Sequence, residues 1–358
     1  MKFGAFVPQG LRWDLPLDVP DTDHWAIMLN VAQTIESSAF DSVWVYDHLQ
    51  AYPPSDWAEA VHQTAKSSST GVRPEPETHI VPEPTREVTY EAWALMAALA
   101  ATTDTVRLGQ MCTCNAYRHP SYLAKVAASI DVISNGRLEM GIGGGWDGAE
   151  REHDGYGYAF LAPAERLGML AEGVEIMKAL WTEDEVTYEG MYYNLRGAIC
   201  QPRPVQKPHI PFWIAGGGEQ ITLRIAARYP AYTNFGRDVD EFRHKSEVLR
   251  GHCDDLGTDY NAIVRSISLN IVCGENEAEV DEKKAWLKGH LSEYISDDEA
   301  RKTASLFDAM SGTPDQIVSR LKEWEAVGVG YAIVYFPDAA YDTSSIELFA
   351  RDVKPQFN

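Results

Sequence analysis

An aspartate and a histidine stand side by side in the stretch SVWVYDHLQ, residues 42 to 50. The residues before Asp47 and His48 are mostly apolar and β-prone, so we expect a buried strand that ends on two titratable groups. A carboxylate beside an imidazole raises its basicity, and a histidine at a strand end can exchange a proton near neutral pH. Alternatively, Asp47 caps the following turn and His48 is a satisfied surface group. Spacing alone favours neither interpretation.

Three further segments carry polar residues or glycines where an apolar stretch ends: CTCNAYRHP at 112 to 120, GIGGGWDGAE at 141 to 150 and IAGGGEQIT at 214 to 222. The glycine run 216 to 218 precedes a predicted helix, where backbone N–H groups and the helix dipole suit a phosphate. Such a run also occurs merely as a tight turn. GIGGG lacks the last glycine of the dinucleotide fingerprint and the acidic residue about twenty positions later, which disfavours a nicotinamide site.

The cysteines indicate neither a metal site nor a disulfide framework. Cys112 and Cys114 are two apart, which places both on one face of an extended strand. No further ligand stands at a recognisable spacing, and the sequence has no H-x-x-x-H or C-x-x-C pair. We therefore expect no bound metal, and reduced thiols at all five cysteines.

Strand-like and helix-like segments alternate from end to end. Strands are predicted at 2 to 8, 41 to 47, 107 to 113, 137 to 145, 212 to 217, 231 to 235, 266 to 274 and 331 to 337. Helices are predicted at 24 to 38, 90 to 103, 120 to 134, about 163 to 181, 218 to 229, 239 to 256 and 313 to 328, with a last one near 344 to 352. Strands separated by helices imply parallel crossovers, which favours an α/β fold with a single (β/α)₈ barrel domain over residues 1 to 358. A doubly wound open sheet is the alternative. In either fold ligands bind at the carboxyl ends of the strands, so the four polar strand ends should meet.

Three segments fall outside the simple alternation. They follow the second strand at about 50 to 88, precede the fifth strand at 183 to 211 and, at 284 to 312, precede the helix predicted at 313 to 328. The first is rich in Pro, Ser and Thr, and a connection of this length is usually a functional lid or disordered. The second is typical of a short hairpin and a proline-rich approach to the next strand.

The charge and hydropathy patterns exclude several classes of function. A net charge of −22 disfavours binding to nucleic acid or to an anionic membrane, because both require a positive surface. No run of eighteen apolar residues exists, and the start MKFGAFVPQG lacks a basic segment followed by an apolar one. We therefore expect a soluble cytoplasmic protein whose partner is a small organic molecule.

Long ordered motifs resemble a known family. They include MKFGAFVPQ, the Asp-His pair after strand two, RLGQMCTCNAYRHPSYLAKVAASIDVISNGRLEMGIGGGW, AERLGMLAEGVEIMKALWTEDEVTYEG and QPRPVQKPHIPFWIAGGGEQITLRIAARY. Over nearly the whole chain these are similar to the luciferase-like flavin and deazaflavin oxidoreductases, especially the branch that depends on coenzyme F420. The resemblance implies a TIM barrel with F420, or alternatively FMN, at the carboxyl rim. It also implies a non-prolyl cis peptide bond at Met111-Cys112, bulging toward the cofactor ring, and barrels of this kind often form homodimers.

The same resemblance assigns roles to individual residues. It implies that Asp47 contacts the cofactor ring and that His48 donates or accepts a proton. The other implied cofactor contacts are Met111, Cys112, Thr113, Gly144 and Gly145 at the ring, and Gly217, Gly218, Glu219, Ile221 and Thr222 at the phosphate. Trp146 stands where the sugar-phosphate dehydrogenases of the family carry a catalytic glutamate, which disfavours a sugar phosphate. Trp44, Tyr117 and Trp146 instead suggest a substrate pocket for a flatter, more apolar molecule.

The resemblance leads to one expected activity and two alternatives. We expect an F420-dependent reductase that transfers hydride from the deazaflavin C5 to an electron-poor aromatic, an activated alkene or an imine. The first alternative is an FMN-dependent monooxygenase, in which reduced flavin activates oxygen. The second is a non-catalytic flavin-binding relative, against which the intact Asp47-His48 pair argues.

Overall fold

The computed structural model describes residues 1–10, 13–51, 88–229 and 231–357. Most of the segment expected to form a lid, 50 to 88, lies outside these ranges. The described strands and helices all lie within these four ranges.

Eight parallel strands form a closed barrel. They are β1 (Lys2–Phe6), β2 (Ser42–Val45), β3 (Arg107–Gln110), β4 (Leu138–Gly143), β5 (Phe212–Ala215), β6 (Tyr232–Asn234), β7 (Val264–Asn270) and β8 (Tyr331–Tyr335). The first strand pairs with the last, with Lys2 opposite Tyr331, and β3 pairs with β4, with Leu108 opposite Leu138. Beyond Gln110 the chain bends, and a short extension of β3, Thr113–Cys114, pairs again with β4. The predicted (β/α)₈ barrel is confirmed.

Helices surround the barrel: α1 (Asp21–Ser37), α2 (Ala92–Thr102), α3 (Pro120–Ile133), α4 (Glu150–Gly155), α5 (Pro163–Thr182), α6 (Thr222–Arg228), α7 (Val239–Leu256), α8 (Glu277–Ser292), α9 (Asp297–Ser305), α10 (Pro314–Ala326) and α11 (Ser344–Leu348). Several begin at sequence-encoded caps. The Asp238 carboxylate accepts from Glu241 N–H at 2.8 Å at the start of α7, and Ser296 with Glu299 forms a capping box at α9. These caps satisfy N–H groups that the first helical turn leaves without partners. The short helix α4 was not predicted.

Side chains of β2 alternate between two apolar clusters. Val43 and Val45 pack outward against the helices, whereas Trp44 and Tyr46 point into the barrel. The expectation that Trp44 lines the substrate pocket is wrong. Its indole is fully buried in the barrel core, 4.7 Å from the Trp213 ring, and its Nε1 donates to Ser42 Oγ at 2.5 Å.

Two of the predicted insertions have regular structure. Within 183 to 211, Val186–Glu189 and Asn194–Ala198 form the expected antiparallel hairpin. The segment 284 to 312, one of the three predicted insertions, contains most of α8 and all of α9. It ends in Ser311–Gly312, which pairs with Val272–Cys273 next to β7.

Across the four described ranges, none of the helices combines the length and apolarity that a membrane crossing would require. The homodimer and the cytoplasmic location expected from the sequence stay predictions.

Candidate active site

A cavity of about 780 Å³ opens at the carboxyl ends of the barrel strands. All four polar strand ends contribute to its lining, as the barrel requires. The predicted site residues that line this cavity are Asp47, His48, Met111, Cys112, Tyr117, Gly144, Gly145, Trp146, Gly217, Gly218 and Thr222. The structure therefore brings together residues that are as far apart as 175 positions in sequence.

Asp47 is held by a buried ion pair. The Arg118 guanidinium donates from Nη1 to Asp47 Oδ2 at 2.7 Å and from Nη2 to Oδ1 at 2.9 Å, and Cys114 N–H donates to Oδ2 at 2.8 Å. Arg118 also pairs with Glu91, the N-cap of α2. Burial raises the pKa of the Asp47 carboxyl, and the guanidinium and the amide oppose that rise. The carboxylate is thus fixed in place by a permanently charged partner.

His48 is held by a buried glutamate. Its Nδ1 lies 3.1 Å from Oε2 of Glu152, which is fully buried on α4. The Leu49 N–H donates to the other carboxylate oxygen, and the Tyr117 hydroxyl also bonds this carboxylate. Burial raises the pKa of Glu152, but His48, the Leu49 amide and Tyr117 more than offset the rise, so the pKa lies below its ordinary value. A carboxylate on Nδ1 fixes the orientation of the imidazole ring.

The Tyr117 and Trp146 rings stand beside this pair. The Trp146 ring lies edge-on to His48, with 6.0 Å between the ring centroids. Tyr117 is buried, and its ring packs against His153 and Tyr158, at 4.9 and 5.3 Å. For Tyr117 also, burial raises the pKa, and so do the nearby Cys114 and Glu152. The phenol therefore stays neutral, and its hydroxyl donates a hydrogen bond to the Glu152 carboxylate.

The chain bends beside the cavity at the end of β3. The Met111-Cys112 peptide bond is cis, at the position that the family resemblance implied. A Cβ on Gly143 would lie 2.7 Å from Cys112 Sγ, so a larger residue there would displace this thiol. Gly145 has φ of +79°, a conformation that glycine adopts without strain. Burial raises the pKa of the Cys112 thiol to about 12, so the thiol is protonated and unreactive at neutral pH.

The glycine turn 216 to 218 follows β5 and contains residues that were predicted to contact the cofactor phosphate. Gly216 has φ of +117°, which explains the choice of glycine. Lys245 on α7 lies against the turn, because a Cβ on Gly217 would overlap its ammonium group. This lysine is 8% exposed and its Nζ lies 2.9 Å from Glu241 Oε1. Backbone N–H groups, the Thr222 hydroxyl and a buried ammonium group are a donor set that suits a phosphate.

Three of the predicted cofactor contacts do not line the cavity. The Thr113 side chain is fully buried, and its hydroxyl donates to Gln110 Oε1. Helix α6 begins at Thr222 rather than near Glu219, so Glu219 and Ile221 lie before its first turn. The Glu219 carboxylate lies 3.0 Å from His244 Nε2 on α7, and Ile221 packs against the outer core cluster.

Three functional candidates were not predicted from the sequence: Arg118, Glu152 and Lys245. Arg118 and Glu152 lie within or just beyond quoted motifs, CTCNAYRHP and GIGGGWDGAE, so their positions near strand ends were a usable signal. Lys245 lies in the middle of α7 with no local motif. Its contact with the glycine turn depends on helix packing alone.

Comparisons with known proteins agree with this barrel. The phthiodiolone/phenolphthiodiolone dimycocerosates ketoreductase of Mycobacterium tuberculosis is 25% identical over 380 residues, which cover 93% of this chain and 91% of that protein. The structure of an F420-dependent secondary alcohol dehydrogenase with an F420-acetone adduct superposes with a TM-score of 0.72 at 18% identity, covering 100% of this chain and 99% of that one. The monooxygenase RslO1 of Streptomyces bottropensis superposes at 0.74 and 20% identity, covering both chains completely. At these identities the two structures establish the fold alone. The model of the family described as luciferase-like monooxygenase matches residues 1–330, and the chain therefore belongs to this family of oxidoreductases.

Proposed function

We propose that this protein is a coenzyme F420-dependent reductase that transfers hydride from the deazaflavin C5 to an organic substrate. Two similar proteins support the choice by their names, a ketoreductase and an F420-dependent secondary alcohol dehydrogenase. The substrate classes expected from the sequence are electron-poor aromatics, activated alkenes and imines. The names of these two proteins lead us to add ketones.

The observation that carries the proposal is the His48–Glu152 pair at the cavity wall. Reduction of a polar double bond consumes one hydride and one proton, so the protein must supply a proton donor. His48 lines the cavity, and Glu152, at 3.1 Å from Nδ1, holds its ring in place. The proton then leaves from Nε2 toward the substrate, while Nδ1–H stays bonded to Glu152.

The described residues fit the cofactor at both of its ends. The glycine turn, Thr222 and Lys245 would hold its phosphate, and the bend at Met111-Cys112 with Gly144 and Gly145 would support its ring. The Asp47–Arg118 pair would fix the position of the ring. The pair is rigid because it is buried and joined by two hydrogen bonds. When bound, the deazaflavin supplies the hydride, and the protein supplies orientation and the proton.

An FMN-dependent monooxygenase is the second candidate. The superposition on the monooxygenase RslO1 favours it, since that protein has the same barrel. FMN also joins a three-ring system to a phosphate, so the same glycine turn would hold either cofactor. Oxygen uptake with FMN, NADH and a flavin reductase would identify this activity.

Cofactor binding tests the proposal most directly. Titration of the full-length protein with F420 and with FMN, followed by cofactor fluorescence, should give tighter binding of F420. Lys245→Met should weaken F420 binding about tenfold, because a buried charge-assisted contact is lost. The matched control is Lys302→Met on α9, whose ammonium group is exposed and pairs with Asp298. Tight binding of FMN without affinity for F420 would refute the proposal.

A further inference from the structure

The segment 277–312 contributes a largely apolar part of the cavity lining. Helices α8 and α9 and the residues that follow them contribute a wall, here called the apolar wall, of Leu287, Leu291, Leu306, Phe307 and Met310. Leu287, Leu291, Phe307 and Met310 are at most 4% exposed, so they are firmly packed rather than loosely attached. Three of them, Leu287, Leu291 and Phe307, join the barrel-interior cluster that contains Tyr335.

No charged side chain of this segment faces the cavity. Among its described residues that line the cavity there is no Asp, Glu, Lys or Arg. The segment's charges pair elsewhere: Lys283 lies 3.7 Å from Asp338, and Asp298 pairs with Arg301 and Lys302. The ring of His290 does line the cavity, but its Nε2 is bonded to Trp13 O at 2.7 Å. An ionised group placed against the apolar wall would therefore find no counter-charge on it, and burying an unpaired charge is strongly unfavourable.

Thr303 supplies a single hydroxyl to this wall. It is 5% exposed and lines the cavity, and its Oγ1 has no hydrogen-bond partner among the described residues. A buried hydroxyl without a partner is unfavourable, and most such groups in folded proteins are bonded. Rotation about χ1 moves the threonine hydroxyl among three staggered positions, so Oγ1 can turn toward a ligand.

We infer that the apolar wall selects an uncharged, largely apolar substrate with one hydrogen-bond acceptor, such as a ketone, which the Thr303 hydroxyl contacts. The inference rests on the proposed function, because it specifies the substrate class of the same cavity. Apolar surface on both partners provides the affinity, and one donor fixes the orientation.

Calorimetric titration with 2-octanone and with octanoate, which have the same chain length and differ in charge, tests this class. The full-length protein is titrated alone, with F420 and with FMN. We expect the ketone to bind at least tenfold more tightly than the carboxylate at pH 7, and Leu291→Lys, which places a counter-charge on the apolar wall, to reduce that preference. Equal or tighter binding of octanoate, or no ketone binding in any of the three states, would overturn the inference.

Two variants test the hydroxyl. Thr303→Val keeps the shape and should weaken 2-octanone binding about three- to tenfold, whereas Thr303→Ser should stay within about twofold. Thr182→Val, at an exposed threonine on α5, is the matched control. Unchanged ketone binding by Thr303→Val would remove Thr303 from the site. A protein that prefers the ketone but binds neither F420 nor FMN would support the inference and refute the proposed cofactor instead.

Discussion

Asp47 and His48 are neighbours in sequence, yet each is held by a partner of a different kind. Asp47 accepts two hydrogen bonds from Arg118, which is charged at every pH that the protein survives. His48 pairs with Glu152, and both members of that pair can gain or lose a proton. The first pair is therefore suited to hold a fixed position, and the second to move a proton.

The largest expected effect comes from breaking the fixed pair. Arg118→Met leaves the Asp47 carboxylate buried without its counter-charge and should lower the free energy of unfolding by about 3–5 kcal/mol. Urea denaturation measures it. The double variant Asp47→Leu/Arg118→Met removes both charges and should recover most of the loss. A loss below about 1 kcal/mol for the single variant would mean that water screens this pair as it does at a surface.

Removal of His48, the proposed proton donor, should affect turnover more than stability. His48→Gln should lower kcat for substrate reduction by about 10²- to 10⁴-fold, because a general acid in a fixed position contributes that much. The affinity for F420 should stay within about twofold, since the phosphate and ring contacts are unchanged. Stopped-flow oxidation of reduced F420, followed over a range of cofactor concentrations, measures both the turnover rate and the affinity for F420. An unchanged pH-rate profile would exclude His48 from the mechanism.

The contrast between the two pairs also marks the limit of what the sequence could predict. Alternating strands and helices were enough to predict the barrel and to place Asp47 and His48 at its carboxyl rim. Their partners lie 71 and 104 residues away along the chain, and no local pattern links residues at that distance. Such pairs depend on how the barrel closes.

Trp44 illustrates a second limit. Alternation along β2 correctly places Trp44 and Tyr46 on the inner side and Val43 and Val45 on the outer side. Alternation does not show how deep along the barrel axis an inward-pointing side chain lies. Trp44 lies at the level of Gly4, Gly109 and Gly141, where the missing side chains leave room for the indole, and so it fills the core below the cavity.

The ionised state of Glu152 in the His48–Glu152 pair should be visible in the pH dependence of protein stability. The pKa of Glu152 is lowered below 4.5, so the unfolded chain takes up this proton first as the pH falls. Glu152→Gln should therefore be less stable than wild type by about 2 kcal/mol above pH 4.5, with the difference shrinking at lower pH. Thermal unfolding between pH 3 and 7 measures it, with Asp154→Asn, exposed on the same helix, as control. A difference that does not change with pH would contradict the assigned ionised state.

The smallest effect should come from the hydroxyl that supports Glu152. Tyr117→Phe removes one of the donors to this carboxylate, while His48 and the Leu49 N–H remain. We expect stability to fall by about 1 kcal/mol and kcat by less than tenfold, because one hydrogen bond among several is lost. Tyr158→Phe, whose ring packs on Tyr117, is the matched control. If Tyr117→Phe lowered kcat as far as His48→Gln does, the phenol rather than the imidazole would be the proton donor, and the division between a fixed pair and a proton-exchanging pair would have to be redrawn around Tyr117.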